Sequence, residues 1–313
     1  KALQITKPGE FQIMDIPKAD PLADEVVVEL KAINSCTHWD LTVWDGIDIF
    51  GRDGYPEYPH YIGRPGHELS GVVVEIGDEV TKLKVGDHVA VWGSKPGSKT
   101  ARWGTMEPKS GKGNPYLPTG GYVQYFTTPE THVLPFPKNV LSWREMAMLE
   151  MLSCIGTAVT KVGEVQWQRV AVTGMGPAGL MAIQALKSRG PDEITAIDVD
   201  PARCEMAESL GADRAVRPGT KEWDALKPDE FTIVVDCSGV PAAIEGVLEK
   251  TSGRLIIFSV PEGPFAIKQS TRTKGRQGQG ISVEYSGSPL GRPGPYAREL
   301  LISGAVNVKP FLS

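Results

Sequence analysis

A short apolar strand followed by three glycines is the feature that most constrains the fold of this chain. Residues 170–173 are Val-Ala-Val-Thr, and glycines follow at Gly174, Gly176 and Gly179. Gly174 can form the tight turn after the strand, Gly176 leaves room for the backbone to approach a pyrophosphate, and Gly179 lets the next helix lie close to the sheet. Because the start of such a helix attracts an anion, the pattern predicts a nucleotide-phosphate site.

An acidic residue at the end of the next predicted strand narrows the choice of nucleotide. The apolar run 194–197 ends at Asp198, 19 residues after Gly179. A carboxylate at this distance accepts hydrogen bonds from ribose hydroxyls and repels a 2′-phosphate, so the sequence favours NAD over NADP. Arg203 could soften that preference, because a guanidinium binds phosphate well.

Strand and helix patterns alternate through the second half of the chain. We expect buried strands at 170–173, 194–197, 231–236 and 254–259, and helices at 178–188, 202–210, 241–249 and 296–302. This alternation predicts a parallel, doubly wound sheet.

The first part of the chain has a different pattern. From Leu3 to Val133, short apolar runs are broken by Gly, Pro and Asp, which predicts a mainly β, barrel-like domain. The runs lie at 26–30, 69–76, 88–92 and 122–127, with a further run at 80–85 after a turn at 77–79. Between residues 93 and 119 the composition shifts to Gly, Lys, Pro and Ser, which predicts a long loop or lid.

Length, charge and cysteine usage limit the possible functions. A chain of 313 residues suits two domains. Its 33 basic and 38 acidic residues give a net charge of −5 without a basic stripe, which argues against a nucleic-acid partner and favours a small-molecule ligand. No apolar run suits a membrane span or a signal peptide, and the four cysteines are widely spaced. We therefore expect a cytoplasmic protein without a membrane partner or a disulfide framework.

A second group of residues offers metal ligands. Cys36, His67 and Glu68 supply a thiol, an imidazole and a carboxylate, a donor set that suits zinc. Glu150 and Cys154, at a predicted helix start, could supply a further donor. Neighbours in an extended chain point to opposite faces, so His67 and Glu68 are not expected to bind one ion side by side. Spacing alone also allows an alternative without metal, in which Cys36 is a buried apolar residue and His67 and Glu68 lie on the surface.

Several motifs together resemble the medium-chain dehydrogenase/reductase family, in particular its zinc-dependent alcohol and polyol dehydrogenases. They lie at Gly66–Glu68 with Gly71, Val85–Val89, Gly120–Tyr125 and Asp236–Gly239. The resemblance covers nearly the whole chain and implies an α/β fold with a doubly wound parallel Rossmann sheet and a mainly β, GroES-like barrel. It implies a catalytic domain at 1–150 and 293–313, its C-terminal part incomplete, and an NAD-binding domain at 151–292.

The resemblance also implies roles for the candidate ligands. Cys36 and His67 become catalytic zinc ligands, Glu150 takes the third-ligand position, and Glu68 becomes an exchangeable or supporting carboxylate. Many family members have four closely spaced cysteines for a structural zinc, but residues 93–119 contain no cysteine. The expectation is one catalytic zinc and no structural zinc.

The chain departs from the family pattern next to the cysteine ligand. Two residues after that ligand the family commonly has Ser or Thr as a proton relay, whereas this chain has His38. Trp39 stands where Asp is usual, and Asp40 is shifted by one position. Thr37 or His38 would carry the substrate proton outward, since an imidazole can act as a base near neutral pH.

The implied function is hydride transfer between NAD and a secondary alcohol or polyol, or the matching ketone or aldehyde, by a homodimer or homotetramer. The residues expected to contact NAD are Gly174, Gly176, Pro177, Ala178, Gly179, Asp198, Arg203, Cys237, Ser238, Ser259 and Val260. Alternatives are a zinc-free NAD(P)H enone or quinone reductase, an enzyme that uses bound NAD transiently to eliminate or epimerise a sugar-like substrate, and a nucleotide-binding protein without turnover. The sequence does not identify the substrate.

Overall fold

The chain forms two compact units, each with its own hydrophobic core. The computed structural model describes residues 1–48, 56–92, 120–267, 281–286 and 293–312. The units are Lys1–Met151 and Leu152–Ser313. The loop or lid predicted at 93–119 lies outside the described residues.

The first unit is built on antiparallel strands. Its strands are β1 (Ala2–Lys7), β2 (Glu10–Met14), β3 (Glu25–Asn34), β4 (Glu68–Ile76), β5 (His88–Val91), β6 (Tyr125–Pro129) and β7 (Val133–Phe136). Its helices are α1 (Trp39–Asp45) and α2 (Trp143–Ala147), and α3 (Leu149–Lys161) begins in this unit. β1 and β2 form a hairpin, and the other five strands form one sheet in the order β6-β3-β4-β5-β7.

Burial of one sheet face stabilises this unit. Val26 and Val28 of β3 pack in one cluster with Leu69 and Val73 of β4 and Phe126 of β6. All five side chains are at most 2% exposed. Full burial of side chains of this size contributes roughly 1.5–3 kcal/mol each, so the pairing of β3 with β4 lies at the centre of the core.

The apolar run at 80–85 does not form a strand. The backbone amides of Thr81, Lys82 and Leu83 instead donate to one carboxylate oxygen of Glu130. This side chain satisfies three consecutive donors that a partner strand would otherwise have to pair.

The second unit contains a parallel six-stranded sheet. Its strands are β8 (Arg169–Thr173), β9 (Glu193–Ile197), β10 (Arg214–Val216), β11 (Phe231–Asp236), β12 (Thr251–Ile257) and β13 (Ser282–Tyr285). Its helices are α4 (Pro177–Lys187), α5 (Pro201–Ser209), α6 (Lys221–Asp224), α7 (Pro241–Leu248) and α8 (Gly294–Ile302). The strand order is β10-β9-β8-β11-β12-β13, and every neighbouring pair is parallel. The predicted combination of a doubly wound sheet and a mainly β domain is confirmed.

The strand order fixes where a ligand can bind in this unit. From β8 the chain adds β9 and β10 on one side, then crosses to add β11, β12 and β13 on the other. At such a reversal, the loops after neighbouring strands diverge and leave a crevice at the carboxyl edge of the sheet. The glycine turn at Gly174 directly follows β8 and therefore lies at this edge.

The described C-terminal residues belong to the second unit. The sequence-based division gave residues 293–313 to the catalytic domain. In the structure, the Asn307 amide donates to Gln184 Oε1 at 2.7 Å, and Gln184 Nε2 donates to the Asn307 carbonyl at 3.2 Å. Because Gln184 lies in α4, these bonds tie Asn307 to the parallel-sheet unit, in agreement with the bounds of that unit.

Local signals set the helix ends. Ser142 and Glu145 form a capping box at α2, and Asp200 caps α5. Pro177 and Pro201 are the first residues of α4 and α5, where the missing amide of proline costs nothing. Within the described ranges, no helix is both long and apolar enough to cross a membrane.

Candidate zinc and dinucleotide sites

Three side chains with metal-binding atoms converge in the first unit. The ligand atoms of Cys36, His67 and Glu68 all lie within 4.8 Å of one another, and His67 Nε2 lies 3.9 Å from Glu68 Oε1. Cys36 follows β3, and Glu68 is paired with Asn34 of β3 across the sheet. The pairing of β3 with β4 therefore brings together residues 31 positions apart in the sequence.

His67 and Glu68 reach the same point although they are neighbours. The sequence reasoning expected their side chains to diverge, as in a strand. In the structure, Glu68 is the first residue of β4 and His67 lies in the loop before it, where the alternation of a strand does not apply. Asn34 Nδ2 donates to Glu68 Oε2, and the other oxygen of Glu68 lies toward His67.

Asp40 and Trp39 lie against the His67 ring. Asp40 Oδ1 is 3.5 Å from His67 Nδ1, and the Trp39 and His67 ring centroids are 5.0 Å apart. Asp40 Oδ2 accepts hydrogen bonds from the Tyr122 hydroxyl at 2.7 Å and the Cys36 amide at 3.2 Å. A carboxylate beside a metal-binding histidine fixes the tautomer and orientation of its ring. The sequence shows the shifted position of Asp40 but gives no sign of its contact with the His67 ring.

The cluster is buried and acidic. His67, Glu68 and Glu150 are 7%, 1% and 4% exposed. Burial and then the charge of Glu150 raise the pKa of Glu68 to about 8. Burial lowers the pKa of His67, but hydrogen bonds with Asp40 and Cys36 and the charge of Glu150 outweigh that effect and raise the pKa well above its ordinary value. A divalent cation would relieve this repulsion between carboxylates. The donor set and its charge therefore fit zinc.

Glu150 lies at the edge of this cluster. It belongs to the first turn of α3, and its charge acts on both His67 and Glu68. Among the described residues, Cys36, His67 and Glu68 form the group whose ligand atoms lie within 4.8 Å of one another. Glu150 is not part of that group. Cys154, one helical turn later, is partly exposed.

In the second unit, the three glycines have three different surroundings. Gly174 has φ +82°, and a Cβ there would lie 2.7 Å from Ser238 Cα. A Cβ on Gly179 would lie 1.9 Å from the Gly174 carbonyl oxygen, so only glycine allows this approach of helix and turn. At Gly176, by contrast, no described atom lies within 4 Å of the Cβ position. Open space beside a helix start is what a pyrophosphate requires.

Asp198 is anchored by the glycine turn itself. It follows the last residue of β9 and is 8% exposed. Its Oδ2 accepts the Met175 amide at 2.6 Å, and its Oδ1 accepts the Asp200 amide at 2.9 Å. Each carboxylate oxygen keeps a lone pair that can accept a ribose hydroxyl. Arg203 is exposed in α5 and lies 3.8 Å from the Asp200 carboxylate, a surface ion pair of little energetic weight.

Comparison with known proteins identifies the family of this chain. The profile of the alcohol dehydrogenase GroES-like domain matches residues 22–138, and that of the zinc-binding dehydrogenase matches residues 177–288. The chain is 33% identical to L-threonine 3-dehydrogenase from Caldanaerobacter subterraneus, over 86% of this chain and 78% of that protein. It belongs to the zinc-dependent medium-chain dehydrogenase family. The predicted family and enzyme class are confirmed, and the protein is a hydride-transferring oxidoreductase.

Two further relatives of this dehydrogenase act on polyols or diols, according to their names. Sorbitol dehydrogenase from Bacillus subtilis is 30% identical over 83% of this chain and 75% of its own length. The crystal structure of 2R,3R-butanediol dehydrogenase from Bacillus subtilis has a TM-score of 0.79 and 25% identity, with coverage of 98% of this chain and 89% of that chain.

The remaining predicted cofactor contacts of this dehydrogenase lie at the edge of the parallel sheet where its strands end. Pro177 and Ala178 open α4. Cys237 and Ser238 follow β11, and Ser259 and Val260 come soon after β12. Burial and then the charge of Asp236 raise the pKa of the Cys237 thiol well above its usual range, so this cysteine stays protonated near neutral pH.

The predicted proton-relay residues of the dehydrogenase lie beside the zinc cluster in the sequence. Thr37 and His38 are both exposed, and His38 is the residue just before α1. The His38 carbonyl accepts a hydrogen bond from Thr42 Oγ1 at 2.7 Å, which fixes the backbone at His38. The exposed side chain of His38 takes no part in that bond.

Proposed function

We propose that this dehydrogenase oxidises a secondary alcohol or polyol with NAD at a single zinc site, and reduces the matching ketone or aldehyde in reverse. The convergence of a thiol, an imidazole and a carboxylate within 4.8 Å carries the proposal. Tetrahedral zinc with bonds of 2.0–2.3 Å needs donors roughly 3.2–3.8 Å apart. The 3.9 Å between His67 and Glu68 is close to that range.

Cys36 and His67 are the proposed fixed ligands, and Glu68 or Glu150 supplies the carboxylate. Glu68 is the nearer donor, while Glu150 keeps the site negatively charged. Asp40 lies beside Nδ1 and orients the His67 ring so that Nε2 faces the Glu68 carboxylate, where it could bind the metal. Glu68→Gln and Glu150→Gln variants separate the two carboxylates, since the true ligand is the one whose loss lowers zinc content at fixed free zinc.

Side chains of the protein are proposed to carry the substrate proton away from the site. Zinc, when bound, supplies Lewis acidity that lets a substrate hydroxyl lose its proton near neutral pH. Thr37 and His38 are the groups proposed to accept that proton and pass it to solvent, because both are exposed next to Cys36. Trp39 covers one side of the His67 ring and excludes water from it.

The proposed hydride acceptor is NAD rather than NADP. Asp198 presents a nearly buried carboxylate next to the glycine turn, where the 2′-phosphate of NADP would meet a like charge. The open space at Gly176 accommodates the pyrophosphate. The contacts proposed in addition are Gly174, Pro177, Ala178, Gly179, Arg203, Cys237, Ser238, Ser259 and Val260.

A substrate panel on protein of measured zinc content tests this proposal. Secondary alcohols, polyols and sugar derivatives are supplied with NAD or NADP, and we expect NADH to form with about one zinc per chain. Product without net NADH would indicate transient use of the cofactor. Reduction of enones by zinc-free protein would contradict the proposal. Sedimentation of the same sample tests whether the enzyme is a homodimer or homotetramer, as we propose.

A further inference from the structure

A buried carboxylate lies beneath the turns at the carboxyl edge of the parallel sheet. Asp236, the last residue of β11, is 0% exposed and has no part in the chemistry above. We propose that Asp236 is a positioning residue: it holds the turns that follow β8, β11 and β12 in the arrangement that receives the nicotinamide half of the cofactor. This inference rests on the proposed function in one respect, that these turns bind a dinucleotide.

Five donors from these turns converge on the Asp236 carboxylate. Oδ1 accepts from Thr173 Oγ1 at 2.5 Å, from Ser238 Oγ at 2.6 Å and from the Ser238 amide at 3.2 Å. Oδ2 accepts from the Gly239 amide at 3.2 Å and from Ser259 Oγ. Thr173 ends β8, Ser238 and Gly239 follow β11, and Ser259 follows β12. One side chain therefore ties three consecutive strand ends together.

The same turns touch one another directly. A Cβ on Gly174 would lie 2.7 Å from Ser238 Cα, and one on Gly239 would lie 2.8 Å from the Val260 carbonyl oxygen. Because there is so little free space, a shift of the Ser238 turn must move its neighbours on both sides. Asp236 is the group that fixes that turn.

The hydrogen-bond pattern explains why this position needs a carboxylate. Each oxygen of Asp236 accepts one backbone amide, from Ser238 and from Gly239. A hydroxyl donor can turn round and accept instead, but a backbone N–H cannot. Asparagine in either orientation would set its own NH2 against one of these amides and leave a buried donor without an acceptor.

The order of the strands shows which half of the cofactor should respond. Asp198 lies after β9, on one side of β8, while the turns held by Asp236 lie after β11 and β12 on the other. A dinucleotide with its ribose at Asp198 and its pyrophosphate at the glycine turn extends its nicotinamide half toward β11 and β12. Substitution of Asp236 should therefore weaken the binding of a full dinucleotide more than the binding of an adenosine phosphate.

Binding titrations of Asp236→Asn with NADH and with ADP test the proposal. We expect the Kd for NADH to rise about tenfold or more and the Kd for ADP to rise less than about threefold. In turnover, the KM for NAD should rise with it. The matched control is Thr251→Val, which removes a buried hydroxyl bond to the Val247 carbonyl at the opposite edge of the same sheet. This control should lower the melting temperature and leave the ratio of the two Kd values unchanged.

A second variant keeps the test decisive if Asp236→Asn does not fold. The variant Thr173→Val removes one hydroxyl donor to Asp236 at a residue that is not among the proposed cofactor contacts, and it retains the carboxylate and both backbone amides. We expect a smaller NADH-selective loss of about threefold. Equal affinity losses for NADH and ADP, no loss in a folded variant, or the same selective loss in Thr251→Val would overturn the proposal. Because these titrations need no substrate, failure of the wild type to oxidise any alcohol would count against the proposed function alone.

Discussion

In the first unit the candidate zinc ligands come from separate segments, whereas in the second unit the candidate dinucleotide contacts follow the ends of neighbouring strands. Cys36, His67 and Glu150 belong to the turn after β3, the loop before β4 and the start of α3. Cys36 and His67 meet only when β3 and β4 have paired. The glycine turn, by contrast, is a contiguous segment whose spacing already predicts a nucleotide-binding role. The zinc site therefore depends on the pairing of two strands, whereas the glycine turn itself depends mainly on local backbone.

The two units also differ in their titratable groups. All five histidines of the chain, at positions 38, 60, 67, 88 and 132, lie in the first unit, and the second unit has none. Groups that titrate between pH 5 and 7 are mainly histidines. The first unit should therefore respond to metal and to acid, and the second to the nucleotide.

Loss of the proposed zinc ligand Cys36 should disrupt the first site and leave the second intact. We expect Cys36→Ser to lower zinc occupancy and to reduce kcat by on the order of 10³-fold or more, because Lewis acidity contributes several kcal/mol to such a reaction. The Kd for NADH should stay within about twofold of the wild type, since no second-unit contact is altered. Cys154→Ser is the matched control and should keep both zinc and activity. Zinc loss in this control would instead assign the ligand role to Cys154.

Acid should destabilise the first unit. His132 is fully buried with Thr128 Oγ1 3.2 Å from its Nδ1, and burial lowers its pKa to about 4. In the unfolded chain a histidine titrates near 6.5, so the unfolded state binds more protons between pH 6.5 and 4. The contribution of His132 to the free energy of unfolding is fully present above pH 6.5, falls as the pH drops from 6.5 to 4, and levels off below pH 4. The expected loss from this residue is about 3 kcal/mol.

Denaturant unfolding of the protein at pH 7.5 and pH 4.5 measures this loss, and His132→Gln supplies the comparison. The variant should be less stable at pH 7.5 and show a flatter dependence on pH. Hydrogen exchange then assigns the effect, which should appear in β3 and β4 and not in β8 and β11. Equal acid sensitivity in the two sets of strands would mean that His132 is not the cause.

The contrast between the sites also explains what the sequence could predict. The glycine turn and Asp198 were predicted to bind a nucleotide from their spacing and from the strands that precede them, both of which can be read from one continuous stretch of sequence. Most strands of the described residues were predicted from their apolar runs, but β1, β2, β7, β10 and β13 were missed. Of these, β10 has 3 residues and β7 and β13 have 4, which is too short to carry a period.

Long-range contacts could not be read in this way. The interaction of Asp40 with His67 and the convergence of Cys36 with His67 and Glu68 depend on the register of β3 against β4, which no local spacing encodes. Asp236 was noted only as a strand end, since its five donors come from three turns that are distant in the sequence. In each case the missing information was which strands are neighbours.

The choice between NAD and NADP should depend on the position of one carboxylate. We expect Asp198→Ala to lower the preference for NAD, measured as the ratio of kcat/KM values for NAD and NADP, by about 10- to 100-fold. Both cofactors should also bind somewhat more weakly, because the Met175 amide loses its acceptor. Asp200→Ala is the matched control, because it removes the same charge two residues away and should leave the preference for NAD unchanged. It should lower the free energy of unfolding, because α5 loses its cap. If both variants shifted the preference equally, general charge rather than ribose binding would be responsible.

The smallest effect concerns backbone strain in the turn before β8. Trp167 has φ +65°, a conformation that costs a non-glycine residue roughly 1–2 kcal/mol, and its side chain is 89% exposed. The exposed ring contributes little burial, so its loss should cost little. Trp167→Gly relieves the backbone strain and should raise the free energy of unfolding by about 1 kcal/mol, once the entropy cost of glycine is subtracted. Trp167→Ala keeps the strain and should leave stability unchanged. Thermal unfolding compares the two variants, and equal stabilisation of both would place the cost in the indole rather than in the backbone. Neither variant should alter zinc content, since the change is confined to a local turn of the second unit.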